Sequence, residues 1–470
     1  MKKCVIFGCG DIGTSVYEKF GQYFDIVAWS DNNQKLWGKT INGITVIPVT
    51  ELLDFQKETG AIVLLSIMNS SDVLKQLIEE GVENLYIWKD GFFYSSDGLF
   101  PLDIEMKPYH CDTSDGCLHI LFISSCAYIR DNKMANAVKK SGNKVYHAYL
   151  MRSPRQMNSD YKDIYDEIFP VTSLNALFDF VQNSNFDVIH SSSNPEYITS
   201  ILINSNKPVI HDCHDLRSLY RPLTPNQLCI ERLSHKYADG VIYPTAGLRD
   251  KAVRMFDMEV DKTLVVENYI SGECLSNEKK EKKCSKDGML HCVYEGGIEL
   301  NPLNHKYFVD IWSKIVSDHV HIHFYSQDSN ETKEIMTAIH PNIHFEGNKS
   351  SKELSTELSK YDVGLCVFNT EIRNRNRLYY ESSSPNKVYE YVNCGIPIAV
   401  GGVNGLIKLV ENNGFGGELK LDGDIEGQLK RIAQIHVPDN ALSKKGFVFE
   451  NYGEALIDFY HRAIRNKGTA

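Results

Sequence analysis

A lysine and a glutamate one helical turn apart are the residues in this chain best placed to do chemistry. Lys387 and Glu390 sit in the stretch Ser382–Val400, SSSPNKVYEYVNCGIPIAV. A Ser-Pro turn opens it and Gly395 stops the helix that the turn begins. The start of a helix presents unpaired N–H groups and the positive end of the helix dipole, so phosphate is its natural guest. Lys387 falls in that first turn. Glu390 lies on nearly the same face, where a carboxylate accepts hydrogen bonds from ribose hydroxyls. A cation beside phosphate and a carboxylate beside ribose together specify a nucleotide.

Two other constellations carry chemical potential. Near the N-terminus, the apolar segment Lys3–Gly8 runs into Gly8-Cys9-Gly10-Asp11-Ile12-Gly13, a helix is expected over Thr14–Phe20, and a second strand, Asp25–Ser30, ends at Asp31. Glycines at Gly8, Gly10 and Gly13 permit a tight turn and close approach of backbone to a diphosphate, with Asp31 available to a ribose. This reads as a nucleotide site, or as a turn that serves structure or assembly. In the middle of the chain, Pro208–His211 is expected as a strand that leads into His211-Asp212-Cys213-His214-Asp215. Open parallel sheets place ligands at the carboxyl ends of their strands. The cluster holds no complete set of ligands at zinc spacing, so no metal site is expected.

The elements that must position these residues are those of an α/β protein. With 470 residues the chain is too long for one ordinary core and implies two or three domains. A net charge of −11 leaves no basic footprint for nucleic acid. Its 12 cysteines are scattered, none forms a C-x-x-C pair, and they read as reduced thiols of a cytoplasmic protein. The N-terminal apolar run is broken by glycines and Asp11, unlike a secretion signal. No apolar run reaches the ~18 residues that span a bilayer, so membrane contact is expected to be peripheral. Apolar strands alternate with helical stretches: His119–Ser124, Lys144–Ala148, Phe186–His190, Val241–Pro244, Leu264–Asn268, His291–Gly297, His321–Ser326, Asn342–Gly347, Asp362–Phe368 and Ile396–Val400. Two polar runs divide them, about Asp97–Gly116 and Asn277–Gly288; the second, NEKKEKKCSKDG, reads as a solvated linker and hinge.

The run Pro385-Asn386-Lys387, then Glu390, Gly395 and Pro397, resembles the donor-site segment of GT-B glycosyltransferases, especially those like family 4. Further landmarks run from about Leu118 to the C-terminus: the Gly142/Val145 step, Glu231 with Ala238-Asp239, Leu264–Asn268 and Ile343–Gly347. The first hundred residues, with Trp29–Asn33, Gly38, Gly43 and Val46-Ile47-Pro48, resemble the small Rossmann-like domain of bacterial surface-polysaccharide proteins. The expected fold is therefore α/β: a GT-B fold of two Rossmann-like lobes preceded by a third, small Rossmann-like domain. Expected boundaries are 1–100 for a nucleotide or nucleotide-sugar-binding domain, 117–276 for the acceptor lobe and 289–470 for the donor lobe, the last helix, Tyr452–Arg465, returning to the acceptor lobe.

The resemblance implies a hexosyl-type transferase that moves sugar from a UDP- or GDP-sugar to a glycan or lipid-linked acceptor. It further implies retention of configuration, no required metal, and a place in bacterial surface-polysaccharide biosynthesis in the cytoplasm or at the inner face of the membrane. It makes His214 the leading catalytic residue with Asp215 second, Gly296 and Gly297 the approach to the donor diphosphate, and the first domain a possible second nucleotide site. The basic residue that such enzymes carry shortly after the glycines is absent: Glu299-Leu300-Asn301-Pro302 stands there, with His305 and Lys306 later, and Ser382 beside Glu381 replaces a second glutamate. Arg373, Arg375 and Arg377 offer a substitute, since fixed cations stabilise a departing diphosphate. Arg130 reads as an acceptor contact or as a surface arginine. Two other classes stay open: a non-catalytic nucleotide-sugar sensor or scaffold, and an NAD-dependent oxidoreductase.

Overall fold

The structure, a computed structural model, describes residues 1–67, 70–89, 91–97, 101, 102, 104–125, 128–150, 163–275, 278–327, 329–369 and 384–468. Three sheets hold the described strands. The first contains β1 (Lys2–Phe7), β2 (Phe24–Asp31), β3 (Thr40–Ile41), β4 (Ile44–Pro48), β5 (Ile62–Leu65), β6 (Leu85–Lys89) and β7 (Phe92–Ser95), in the order β3-β4-β2-β1-β5-β6-β7. The second contains β8 (His119–Ser124), β9 (Lys144–Tyr149), β10 (Glu167–Pro170), β11 (Val188–Ser192), β12 (Val209–Asp212), β13 (Gly240–Tyr243) and β14 (Thr263–Val265), in the order β10-β9-β8-β11-β12-β13-β14. The third contains β15 (Leu290–Glu295), β16 (Val320–Tyr325), β17 (Ile343–Phe345), β18 (Val363–Val367), β19 (Ile398–Gly401) and β20 (Gly416–Glu418), in the order β17-β16-β15-β18-β19-β20. Only the β3–β4 and β6–β7 hairpins pair antiparallel among the registered pairs. Parallel strands with helices on both faces have no wet side, and the sequences follow: IVLL in β5 and HILFIS in β8 are buried throughout.

Contact density divides the chain into two compact units. One is Met1–Asp212 with Tyr237–Asp239 and Tyr460–Ala470; the other is Cys213–Lys236 with Gly240–Phe459. In the first unit, the polar run after β7 is not a free connector. Met106 and Cys111 are buried with residues of β8 and β9, and the Tyr109 ring stacks on Phe186 at 5.9 Å. Helix α1 (Asp11–Phe20) starts at Asp11 rather than Thr14, because Gly10 takes the N-cap position. Its last turn carries Lys19, a fully buried lysine whose Nζ donates to the carbonyls of Gly91 at 3.0 Å and Leu150 at 2.5 Å, with the rings of Phe20, Trp88 and Phe92 within 5.6 Å. Burial drives its pKa well below the usual lysine value.

In the second unit, the charged run expected to be a solvated linker is pinned along the third sheet. Lys283 N–H donates to the Lys360 carbonyl at 2.8 Å, Lys280 N–H to Ser359 Oγ at 2.9 Å, and the Lys282 ammonium reaches the Tyr361 carbonyl. Lysine stems cover apolar surface while their heads find acceptors, a use of charge that composition alone reads as solvation. Helix α2 (Asn386–Asn393) turns Val388, Tyr391 and Val392 into the core and stops at Gly395, φ +69°. Tyr391 lies against Gly364 of β18, where a methyl group would stand 2.3 Å from the ring. Helix α3 (Gly453–Gly468) ends the described chain; its part from Tyr460 belongs to the first unit, where Tyr460 Oη meets His190 Nδ1 at 2.8 Å and Lys467 Nζ meets Asp239 at 3.3 Å. No helix among the described residues is long and apolar enough to cross a membrane.

Two measurements follow. Lys19 is neutral when folded and protonated when unfolded between its lowered pKa and 10.5, so unfolding takes up a proton and stability rises with pH there, by about 1.4 kcal/mol per unit. As pH is raised towards 10.5, urea midpoints should rise more steeply in the parent chain than in Lys19→Met. Gly364→Ala should lower the unfolding free energy by about 1–3 kcal/mol, seen as a lower urea midpoint, because the added methyl would collide with the Tyr391 ring.

Candidate functional site

The carboxyl end of β15 and the first turn of α2 bring together four of the residues singled out in the sequence. Gly296 follows β15 with φ +121°, a conformation that only glycine adopts without strain. A Cβ there would lie 3.3 Å from Lys387 Nζ and 3.4 Å from Tyr294 Oη. The Lys387 ammonium sits 3.8 Å from the centroid of the Tyr294 ring, and Tyr294 Oη donates to the Gly297 carbonyl at 2.8 Å. Gly296 thus lets the backbone pass close beside a cation that a side chain would crowd. Its own N–H is engaged by the Tyr325 carbonyl at 3.1 Å, so it does not serve as the diphosphate donor that the resemblance implied.

Helix α2 starts at Pro385 with no side-chain cap and no acidic residue in its first turn. Among the described residues, no acidic side chain of its own first turn offsets its positive end next to Lys387. Burial lowers the Lys387 pKa to about 8, an effect opposed by Cys366, Glu295 and Glu390 and reinforced by Lys306. The ammonium is close to its titration point at neutral pH and is held in the charged form by any anion that arrives. Of the two late basic residues, His305 is no cation: burial, with Lys306 and Lys387 nearby, lowers its pKa to about 4.

Glu295 is a buried carboxyl beside Lys387 and Glu390 that the sequence did not single out. It is 6% exposed, and its Oε1 has no hydrogen-bond partner among the described residues. Burial and the neighbouring Glu390 raise its pKa well above the carboxylate range, against the pull of Lys387. A protonated Glu295 can share its proton with Glu390 and hold that carboxylate in one orientation. The visible signal was a charged residue closing an otherwise apolar strand just before two glycines. The carboxylate of Glu390 remains part-buried beside it.

Other expected residues lie elsewhere. In the His211–Asp215 cluster, His211 is buried with Nδ1 2.9 Å from Thr199 Oγ1. Asp212 is fully buried and bound by Arg130, with Nε–Oδ2 at 3.0 Å and Nη2–Oδ1 at 3.0 Å. Arg130 is thus neither a surface arginine nor an acceptor contact but half of a buried ion pair. His214 and Asp215 follow on the loop, part-buried, after the Cys213 N–H has bonded to the Ile242 carbonyl at 2.9 Å. Arg373, Arg375 and Arg377, with Glu381 and Ser382, lie outside the described residues.

In the first sheet the glycine turn is wired to its carboxylate. Asp31 Oδ2 accepts from Cys9 N–H at 2.8 Å and Oδ1 from Asn33 N–H at 2.8 Å. Gly13 lets α1 close onto the turn, since a Cβ there would stand 1.9 Å from the Gly8 carbonyl oxygen. Next to Gly10, by contrast, a Cβ would meet nothing within 4 Å. The turn is thus built and braced from inside, with open space at its tip.

Residues 301–437, which include Lys387 and Glu390, match the family profile described as glucosyltransferase 3-like, C-terminal domain. Residues 1–88 match the profile described as C2185-like, N-terminal. No curated protein matches the chain. Among solved structures, HepE of Anabaena in complex with UDP-glucose aligns over 75% of this chain and 100% of its own, at 12% identity and a TM-score of 0.50. The lipopolysaccharide outer core galactosyltransferase WaaB aligns over 74% of this chain and 100% of its own, at 12% identity and 0.50. AviGT4, a glycosyltransferase involved in avilamycin A biosynthesis, aligns over 74% and 98%, at 11% identity and 0.50. A likeness at these identities is one of backbone architecture, and it agrees with the parallel sheets: the chain carries the GT-B fold of the glycosyltransferases.

Proposed function

We propose that the protein is a nucleotide-sugar-dependent glycosyltransferase whose donor is held by β15 and α2. The observation that carries this reading is the close approach of the Gly296 backbone to the Lys387 ammonium, at a helix start with no side-chain cap and no acidic residue in its first turn. A diphosphate fits that chemistry. Glu390, held by Glu295, then receives the ribose hydroxyls. UDP is the first nucleotide to try, because HepE was solved with UDP-glucose, and GDP the second. The transferred group is a hexose, the acceptor a glycan or lipid-linked sugar, and the setting bacterial surface-polysaccharide biosynthesis at the inner face of the membrane.

In this mechanism Lys387, the α2 amides and Arg373, Arg375 and Arg377 stabilise the departing diphosphate electrostatically, the role that a metal plays in other transferases. Configuration is retained, with the departing phosphate oxygen taking the acceptor proton. His214 and Asp215 lie beside the sugar and orient the acceptor hydroxyl. The first domain, residues 1–100, holds a second nucleotide or nucleotide sugar at the Gly8–Gly13 turn, with 117–276 and 289–470 as acceptor and donor lobes.

Substitution tests the site. Lys387→Ala removes a charge-assisted contact and should weaken UDP binding about 10- to 100-fold by calorimetry. Glu390→Ala should weaken it through the ribose, and His214→Ala should lower kcat more than donor affinity. Full transfer activity in all three variants would remove the assignment, and tight UDP-sugar binding with neither transfer nor hydrolysis would make the chain a sensor. The pH dependence has a definite sign. Only protonated Lys387 attracts diphosphate, so UDP affinity should fall as pH rises through about 8, and this slope should vanish in Lys387→Gln.

A further inference from the structure

At the end of β15 remote from Gly296, three strands of the third sheet carry four histidines in register. His291 is paired with His321, and His323 with His344. His291 Nε2 lies 3.1 Å from Asp287 Oδ2, His291 Nδ1 lies 2.8 Å from His323 Nε2, and His323 Nδ1 lies 2.7 Å from Glu346 Oε1. These three contacts form one chain, Asp287–His291–His323–Glu346.

Proton counting shows what the chain lacks. An ionised carboxylate only accepts, so His291 Nε2 and His323 Nδ1 must both donate. A neutral imidazole has one donor and one acceptor nitrogen. The two nitrogens that face each other at 2.8 Å, His291 Nδ1 and His323 Nε2, are then both bare lone pairs. Three contacts share two protons. Either a third proton enters between the rings, or a cation does once the two nitrogens part to the ~3.3 Å that tetrahedral bonds to zinc require.

A third ligand stands ready. One nitrogen from each of His291, His321 and His323 lies within 4.8 Å of the others. His321 is steadied by Nδ1 at 2.9 Å from His344 Nε2, and its ring stacks on His291 at 4.7 Å. His291 and His323 are 4% and 3% exposed while His321 is part-exposed, which leaves an entry from solvent. Carboxylates on the far nitrogens of two ligating histidines are the usual outer support of such a site. Lys283 also reaches Glu346, at 3.3 Å, and shares that carboxylate with His323. An all-imidazole set suits a zinc-class cation and not magnesium or calcium, which take oxygen ligands.

We propose that His291 Nδ1, His323 Nε2 and a nitrogen of His321 bind one divalent d-block cation of the zinc class, which braces β15, β16 and the short helix Cys284–Asp287 independently of the donor site. The sequence signal is the alternation His319-Val320-His321-Ile322-His323, which puts His321 and His323 on one face of a strand.

The test uses the full-length chain freed of metal by chelator and titrated with zinc chloride. One equivalent should bind by calorimetry and raise the melting temperature, and cobalt should give a visible spectrum without thiolate charge-transfer bands. His321→Asn changes the part-exposed ligand, so its melting temperature in chelator should match the parent while zinc affinity falls about 100-fold. Glu346→Gln should weaken binding about 10- to 100-fold. Absence of zinc uptake by the parent overturns the proposal and leaves the third proton between the rings. Uptake unchanged in His321→Asn, or thiolate bands in the cobalt spectrum, places the metal elsewhere and overturns it equally.

Discussion

Tyr391 has nowhere else to go. Its ring fills the space that Gly364 leaves by having no side chain, and its hydroxyl accepts the Glu295 N–H at 3.1 Å. That contact joins the middle of α2 to the last residue of β15. Because α2 is rigid, it also sets where Lys387 and Glu390 stand, one turn before and beside the anchored ring. The Gly296 backbone can then approach Lys387 without collision, and the carboxyl of Glu295 faces Glu390 rather than solvent. A helix docked a few ångströms differently would keep every hydrogen bond of its own and lose the site.

The first sheet uses related parts differently. Its glycine turn and terminal aspartate have the arrangement expected around a dinucleotide, yet both oxygens of Asp31 are committed to backbone N–H groups of Cys9 and Asn33. A carboxylate bound in this way shapes a turn whether or not a ligand is present. Lys19, at the other end of α1, is similarly turned inward, spending its donors on two carbonyls instead of on water. Both are polar groups whose first duty is to the fold, which is how buried hydrogen-bonding capacity avoids a desolvation penalty.

The histidines of the third sheet illustrate the reverse case. Stacked rings and paired nitrogens would satisfy a packing criterion, and Tyr361 lies against His323 at 4.9 Å as any core aromatic would. Only the count of protons along Asp287, His291, His323 and Glu346 distinguishes a packed cluster from a site that is short of one positive charge.

The sequence by itself determined the α/β class, most of the strands though not β3, β7, β10 or β20, the helix that bears Lys387 and Glu390, and the glycines at both turns. These are local matters: apolar runs bounded by glycine and proline, and a helix start that needs no partner to be recognised. Tertiary structure alone decided which polar groups are spent inside. Arg130 and Asp212, far apart in sequence, neutralise each other in the core; the lysines of the 277–288 run lie along the sheet; Glu295 and the histidine chain take their character from neighbours on other strands. Burial and proton sharing depend on distances between segments that meet only after folding, and no spacing along the chain encodes them.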